Sequence, residues 1–298
     1  MHSPNGMHSP NGMHSPNGMH SPNRTMGMKR NRVAAFAGGV PWWLVLLAGL
    51  GIISVGTALS NATYRVIFGA VARGFGVTMT VAVVSYAASL LLGLLLGLAR
   101  ASRARPLREA STFYIELVRG LPMLVILYYI AFVGAPALAG LLNALLAPLI
   151  KLGVIAAFQS RSFSFATRAV LALTLGYAAF IAEIFRAGIE SVDKGQIEAA
   201  HALGLSHSQT MIRVVLPQAV RNVLPALANE FIAIVKDSAL VSVLGVQDIT
   251  QIGKVYAAST FMFFETYNVV AFFYLCLTVS LSMLVRALER RLKRESVR

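Results

Sequence analysis

Residues 76 to 99 read GVTMTVAVVSYAASLLLGLLLGLA, a run without one charged side chain. A helix rises about 1.5 Å per residue, so about 20 apolar residues cross a hydrocarbon core of about 30 Å. Five further apolar segments have the same character, at about 41 to 59, 112 to 134, 167 to 187, 225 to 246 and 267 to 287. We therefore predict an all-α, polytopic membrane protein with about six transmembrane helices.

The composition supports a chain that uses lipid as its solvent. Hydrophobic residues make up 56% of it and charged residues 13%, and the mean hydropathy is +0.67, whereas soluble domains carry about 25% charge. The net charge of +14 does not indicate nucleic-acid binding, because the basic residues cluster at the ends of apolar segments. The only cysteine, Cys276, lies in an apolar run, which excludes a disulfide framework and a thiolate metal site.

The basic residues also predict the orientation in the membrane. If both termini are cytoplasmic, 17 Lys and Arg residues lie in inner segments and six in outer ones, namely Arg65, Arg73, Lys151, Arg161, Arg168 and Lys254. This distribution satisfies the positive-inside rule. Residues 140 to 158 are also apolar, but Pro148 and Lys151 interrupt them. We interpret that stretch as an outer-surface or re-entrant helix.

The first 32 residues differ from the rest. Four near-copies of Met-His-Ser-Pro-Asn-Gly begin the chain, and Pro and Asn-Gly every six residues predict a disordered tail. The repeated histidines leave a metal-binding hypothesis open, and translation could also start at Met26 or Met28. Residues 33 to 69 are interpreted as an extra N-terminal transmembrane helix with a linker, although the apolar run at 41 to 59 also fits a cleaved signal sequence.

One predicted inner loop is long, polar and helix-prone, from Asp193 to Asn222. Ile197 and Ala200 recur at helical spacing, and Gly204 permits a left-handed turn that ends a short helix. Pro217 suits the first turn of the next helix. The loop histidines, His201 and His207, are six apart, which does not place two metal ligands on one helical face, so we interpret them as solvated.

The loop resembles the EAA signature of ABC importer permeases, through Glu198-Ala199-Ala200, Gly204 and Leu216-Pro217. In that family this loop is a coupling helix that docks in a cleft of a cytoplasmic ATPase. The resemblance therefore implies a coupling loop at residues 190 to 222 in which these six residues transmit movement of the ATPase. The conservative departure is Val214-Val215 before Leu216, where the family often has Ile.

Further motifs resemble the polar amino acid permeases, which transport histidine, glutamine, glutamate, arginine and opines. They are Gly76 to Thr80, Glu116 with Arg119-Gly120-Leu121-Pro122, Ala182-Glu183 with Arg186-Ala187-Gly188-Ile189, and Lys236-Asp237-Ser238-Ala239-Leu240. Leu121 and Ala239 replace the common Thr and Ser, which leaves the substrate open. The resemblance implies a MetI-like permease domain at residues 70 to 298, with the five-helix core of a type I importer.

Charges inside membrane spans are costly, so they pair or line a wet path. Glu116 and Arg119 are three residues apart, as are Glu183 and Arg186, so each pair shares one helical face. Each could be a local ion pair, or could contact the substrate or a second permease subunit. We include all four among the candidates for the translocation path.

Lys236 and Asp237 are adjacent and cannot face each other on a helix. Together with Ser238 they are candidates for the translocation path, because each needs a partner elsewhere. Glu230 could instead pair with Lys236.

The chain contains no Gly-x-x-x-x-Gly-Lys-Ser/Thr sequence, so ATP and Mg are expected on a partner ATPase, and no cofactor, metal or catalytic residue is expected here. The expected partners are an ATPase dimer, an identical or homologous second permease, an extracytoplasmic solute-binding protein, membrane lipid and a polar amino acid, in the inner membrane of a bacterium. Alternatives are a permease for methionine, phosphate or a peptide, a membrane enzyme, or a secondary transporter.

Overall fold

The computed structural model describes residues 42–295, so the predicted tail at residues 1–32 lies outside the described residues. The chain divides into two compact units, Met1–Ala48 and Gly49–Arg298. The described part of the first unit is the beginning of helix α1. The helices are α1 Trp42–Ser60, α2 Ala62–Ala72, α3 Phe75–Arg100, α4 Arg105–Arg119, α5 Met123–Leu145, α6 Ala147–Lys151, α7 Phe165–Glu190, α8 Lys194–Ala202, α9 His207–Thr210, α10 Leu216–Asp237, α11 Ile249–Thr260 and α12 Phe263–Glu295.

Four helical stretches of the described residues are long and apolar enough to cross a membrane: Ala62–Arg100, Met123–Leu145, Phe165–Glu190 and Phe263–Arg291. A shorter apolar stretch, Val45–Thr57, lies in α1. Helix α10 carries several charges and is not among the four. The prediction of an all-α, polytopic membrane protein is confirmed. Helices α3 and α7 match their predicted segments closely, whereas α12 extends beyond both ends of the segment predicted at 267 to 287.

The segment predicted at 112 to 134 is divided between two helices, so that boundary was wrong. Helix α4 ends at Arg119, and α5 begins after Pro122, whose backbone is extended. Proline has no amide hydrogen and disfavours a helical residue before it, so the break falls at Gly120–Pro122. The apolar residues that follow then continue as one helix to Leu145.

The predicted separate helix at 140 to 158 is also corrected, because its first residues end α5. The short helix α6 follows, and the chain then folds back on α5. Asn143 fixes this return with two hydrogen bonds: its Nδ2 donates to Phe158 O at 2.8 Å, and its Oδ1 accepts from Phe158 N at 2.7 Å.

The predicted span at 225 to 246 begins earlier and ends earlier as a helix. Helix α10 starts at Leu216, retains Pro225 inside it and ends at Asp237, and a 3-10 helix, Ser238–Leu244, follows. Two helices were not predicted, α2 and α11. Helix α2 includes part of the predicted linker, yet Ile67 and Val71 on it are fully buried in a cluster that includes Ile249 and Val269.

The centre of the fold is the packing of α3 along α7. Gly93 permits the close approach, since a Cβ there would lie 2.7 Å from Ile181 Cγ2. The hydroxyl of Ser89 donates across the contact to Thr174 O at 3.1 Å. Small residues and interhelical hydrogen bonds are the usual means of helix association in a membrane, where burial of apolar groups from water gives no advantage.

Candidate translocation path and coupling loop

The predicted coupling loop is a short helix that ends in a left-handed turn. Asp193 caps α8 by accepting from Gly195 N at 2.7 Å, and Gly204 ends it with φ of +79°. The reversal is closed by Leu205 N, which donates to Ala200 O at 3.1 Å. Ala200 is buried, whereas Glu198 and Ala199 are exposed. The motif therefore presents an exposed surface on a helix whose end is fixed by glycine.

The turn at Gly204 brings the two loop histidines together. The rings of His201 and His207 lie parallel within 9°, with centroids 6.5 Å apart, and Nδ1 of His201 lies 3.2 Å from Leu205 O. Their separation of six residues does not place them on one helical face, as predicted, but they meet because they belong to two helices. Both remain exposed.

The loop passes into α10 without a break in helical structure. Met211–Val215 form a π-helical turn, in which Leu216 N donates to Met211 O. Pro217 follows within the first turn of α10, as predicted. Since proline has no amide hydrogen, it cannot donate to Ile212 O, the acceptor that would come next in this pattern. The wider turn thus lets proline occupy a continuous helical rod.

A second π-helical turn, in α5, is also followed by a proline, and here a side chain donates to the carbonyl that the proline leaves without a hydrogen bond. Ala135 N donates to Ile130 O, and Pro136 follows. Ala131 O, the next acceptor, receives a hydrogen bond from Arg168 Nη1 at 2.9 Å. The same guanidinium donates to the Ser160 and Phe163 carbonyls. In the sequence Arg168 stood out only as one of six outer basic residues, although Pro136 in an apolar helix was a signal that a carbonyl needed a donor.

Charged side chains form an ion cluster where α3, α4 and α7 meet. Glu183 accepts from Arg100 Nη1 at 2.7 Å and also pairs with Arg186. Arg100 further lies 3.6 Å from the Glu116 carboxylate. The local pair of Glu183 and Arg186 is thus present. Arg100 was not among the predicted path candidates, because its partners lie far away in sequence.

The predicted local pair of Glu116 and Arg119 is not formed among residues 42–295. Glu116 turns to Arg100, and the guanidinium of Arg119 lies over the Phe180 ring, 5.9 Å from its centroid. Helical spacing permitted the local pair, but α3 supplies a competing cation.

The ion cluster gives a prediction for stability. Replacing Glu183 by Gln is expected to destabilise the chain by about 2 kcal/mol, because Arg100 loses a charged partner in a site where both side chains are only about one-fifth exposed. Thermal unfolding of the detergent-solubilised chain measures this. Glu190→Gln is the matched control, since that carboxylate pairs with Arg186 on the same helix but is 61% exposed, and such pairs contribute roughly 0.3–0.5 kcal/mol.

A double-mutant cycle checks the cause. Arg100→Gln together with Glu183→Gln removes both charges, so the double variant should recover part of the stability lost in the single variants. Strict additivity of the two single effects would show that the contact of Arg100 with Glu183 does not stabilise the fold.

The candidates at the end of α10 have different surroundings. Asp237 accepts a hydrogen bond from the Tyr177 hydroxyl of α7 at 2.9 Å. Ser238 is fully buried and donates to Val235 O at 2.8 Å, and Lys236 is exposed. Within residues 42–295 Lys236 has no carboxylate partner, so the suggested pair with Glu230 is not formed.

Glu230 emerges from the structure as a further candidate. It lies two turns before Asp237, and residues seven apart share one face of a helix. Its side chain is half-buried, and no hydrogen bond or ion pair satisfies it in the described part of the chain. The last two turns of α10 therefore present one free ammonium and a carboxylate that lacks a cation.

The family model described as "Binding-protein-dependent transport system inner membrane component" matches residues 89–294. The chain is 37% identical over 221 residues to the probable glutamine ABC transporter permease protein GlnM of Bacillus subtilis, covering 74% of this chain and 92% of that protein. It is 36% identical to the arginine transport system permease protein ArtQ of the same organism, covering 74% and 91%. For the glutamine transport system permease protein GlnP of Escherichia coli the identity is 35%, covering 74% and 92%.

Solved structures show the same likeness. The structure described as an amino acid ABC transporter with histidines matches with a TM-score of 0.65 and 35% identity, covering 78% of this chain and 97% of that one. An inward-facing MetNI methionine ABC transporter matches with a TM-score of 0.57, covering 75% and 96%. At 20% identity, the second likeness concerns the fold alone.

Proposed function

The chain belongs to the binding-protein-dependent transport system inner membrane components, the permease subunits of ABC transporters, and we propose that it forms the transmembrane path of an importer for a polar amino acid. As a member of this family it is a transport subunit of the inner membrane and not an enzyme.

The observation that carries this proposal is the continuity between the coupling loop and the charged end of α10. Helix α8 packs on the beginning of α10 through a cluster that contains Ile197, Val215 and Ala219. From His207 the chain then stays helical to Asp237. A displacement of α8 by an ATPase would therefore move the rod that carries Lys236.

The charges on that rod suit a free amino acid. Its carboxylate would contact the exposed ammonium of Lys236, and its ammonium would contact Glu230 or Asp237, which lie on the adjoining face. A zwitterion binds well only where the site has a positive and a negative side chain within a few ångströms of each other. A partly desolvated site makes each of these contacts stronger. Membrane-embedded charges without internal partners are expected to line such a path.

The proposed assembly has two ATPase subunits on the cytoplasmic side, where ATP and Mg bind, a second permease chain and an extracytoplasmic solute-binding protein. Both termini of this chain are placed in the cytoplasm, which is supported by 17 basic residues in inner segments against six in outer ones. Under that orientation α8 faces the ATPase, and Glu198, Ala199, Ala200, Gly204, Leu216 and Pro217 form the coupling element.

Reconstitution tests the proposal. The chain is purified with its partner ATPase, placed in proteoliposomes loaded with ATP, and supplied from outside with its solute-binding protein and labelled glutamine, arginine, histidine or glutamate. We expect uptake of at least one amino acid, with none when the ATPase is omitted or its P-loop lysine is replaced. Uptake by the permease alone would contradict the proposal, as would a complete complex that hydrolyses ATP but moves no amino acid.

A further inference from the structure

Three polar side chains from distant parts of the sequence meet at one buried junction. The hydroxyl of Thr78, in α3, accepts a hydrogen bond from Ile249 N at 3.2 Å. The carboxylate of Asp248 caps α11 by accepting from Gln251 N at 2.8 Å, and its other oxygen accepts from the Tyr274 hydroxyl, in α12, at 3.2 Å. Thr78, Asp248 and Ile249 are each 0% exposed. We call this set, with Gly74, the polar junction.

The backbones at the polar junction are in direct contact. A Cβ on Gly74 would lie 2.5 Å from the carbonyl carbon of Asp248 and from Ile249 N. Those are backbone atoms that cannot turn aside as a flexible side chain can. Glycine at this position therefore allows the start of α3 and the start of α11 to touch, and the bond from Ile249 N to Thr78 fixes their register.

The polar junction holds one end of the segment that follows the path candidates. Ser238–Leu244 form the 3-10 helix, Gly245 turns with φ of +76°, and Asp248 lies three residues on. The other end is held where Asp237 accepts from Tyr177 of α7. The segment from Asp237 to Asp248 is thus bound to α7 at its beginning and to α3 and α12 at its end.

We propose that Thr78, Asp248 and Tyr274 are positioning residues that hold this segment, and with it Lys236, in the geometry that transport needs. The inference rests on the proposed function. Helix capping alone would use one carboxylate oxygen, whereas the second oxygen of Asp248 is bound by another helix. Burial raises the pKa of the Asp248 carboxyl, so these bonds stabilise a group that the site otherwise disfavours as an anion.

The hydrogen bond from Ile249 N gives one residue of the motif at Gly76 to Thr80, namely Thr78, a structural role. The motif's two threonines differ, because Thr80 is exposed and its hydroxyl donates to Gly76 O in its own helix at 2.7 Å. Thr78 alone reaches another element. The two threonines offer a matched comparison, because they lie two residues apart on nearly opposite faces of the same helix.

The experiment measures the position of the segment directly. In the assembled complex, Lys236→Cys in a Cys276→Ser background reports access to a membrane-impermeant methanethiosulfonate. Thr78→Val leaves Ile249 N without its acceptor, and we expect the labelling rate to change by at least about threefold. Thr78→Ser keeps the hydroxyl and Thr80→Val alters only the local bond, so both should label as the parent does. With Lys236 intact, Thr78→Val should lower uptake by at least about fivefold, and Thr78→Ser should restore it.

Tyr274→Phe is the second variant, because it removes one hydroxyl without changing packing, with the exposed Tyr267→Phe on the same helix as its control. If Thr78→Val and Tyr274→Phe lower the unfolding temperature but leave labelling and uptake unchanged, the polar junction is only structural and the inference is wrong. Failure of the parent complex to transport any amino acid would overturn the proposed function instead, since the labelling comparison does not depend on transport.

Discussion

Replacing Gly204 by valine is expected to reduce solute-stimulated ATP hydrolysis by about 10- to 100-fold while membrane insertion stays normal, because forcing a β-branched residue into a left-handed conformation costs about 1–3 kcal/mol. Gly204 has φ of +79° and open space around the position of a Cβ. The strain is therefore in the backbone and not in packing. We expect the chain to relieve this strain by opening the turn, which would move His207 away from His201 and α8 away from α10.

Two control variants test whether the loss depends on backbone strain at Gly204 or would follow from strain at any left-handed glycine. Gly153 also has a left-handed backbone with φ of +73° and open space, in the loop after α6, so Gly153→Val should leave stimulated hydrolysis within about twofold. Gly204→Asn should retain most of the coupling, since asparagine tolerates this conformation better than other non-glycine residues. If Gly204→Val and Gly153→Val lost equal amounts of solute-stimulated ATP hydrolysis, the turn at Gly204 would have no specific role in coupling.

Replacing Lys236 by glutamine is expected to lower amino acid uptake by about 10- to 100-fold, because a charge-assisted hydrogen bond to a carboxylate contributes about 1.5–3 kcal/mol. The side chain is exposed and unpaired among the described residues, so its removal breaks no internal ion pair. Assembly with the ATPase and basal ATP hydrolysis should therefore be preserved. Uptake in proteoliposomes and gel filtration of the complex give the two measurements.

Lys254→Gln provides the matched control. Lys254 is an exposed lysine on α11, and its loss changes the net charge by the same amount without touching α10. Its uptake should stay within about twofold of the parent, since isolated surface charges contribute little. If Lys236→Gln took up amino acid as well as Lys254→Gln does, the assignment of Lys236 to the translocation path would be wrong.

Long uninterrupted apolar runs predicted those parts of the fold in which a single helix continues through the whole run. Residues 76 to 99 became α3 and 167 to 187 became α7, with ends displaced by a few residues. Prediction failed where proline decides the boundary. Pro122 ends one helix and starts another, whereas Pro217 and Pro225 are accommodated inside helical structure. Sequence alone does not distinguish these outcomes, because they depend on whether a neighbouring group or a wider turn satisfies the freed carbonyl.

Motifs in the sequence indicated candidate residues for the site but did not indicate the contacts that these residues make. Motifs indicated Glu183 and Lys236, but the bond between Arg100 and Glu183 joins residues 83 positions apart. The polar junction likewise depends on Asp248 reaching Tyr274. Such pairs follow from the packing of α3, α7 and α12, which local spacing does not determine.

The unbroken rod from His207 to Asp237 has a consequence for the size of the motion that an ATPase must produce. At about 1.5 Å per residue it is about 45 Å long, so a tilt of about 10° about one end sweeps the other through about 8 Å. A π-helical turn near the driven end lets the lever flex without unwinding. A small rearrangement of the ATPase at the bound nucleotide would thus open the path at the far end of the rod wide enough to admit a small solute.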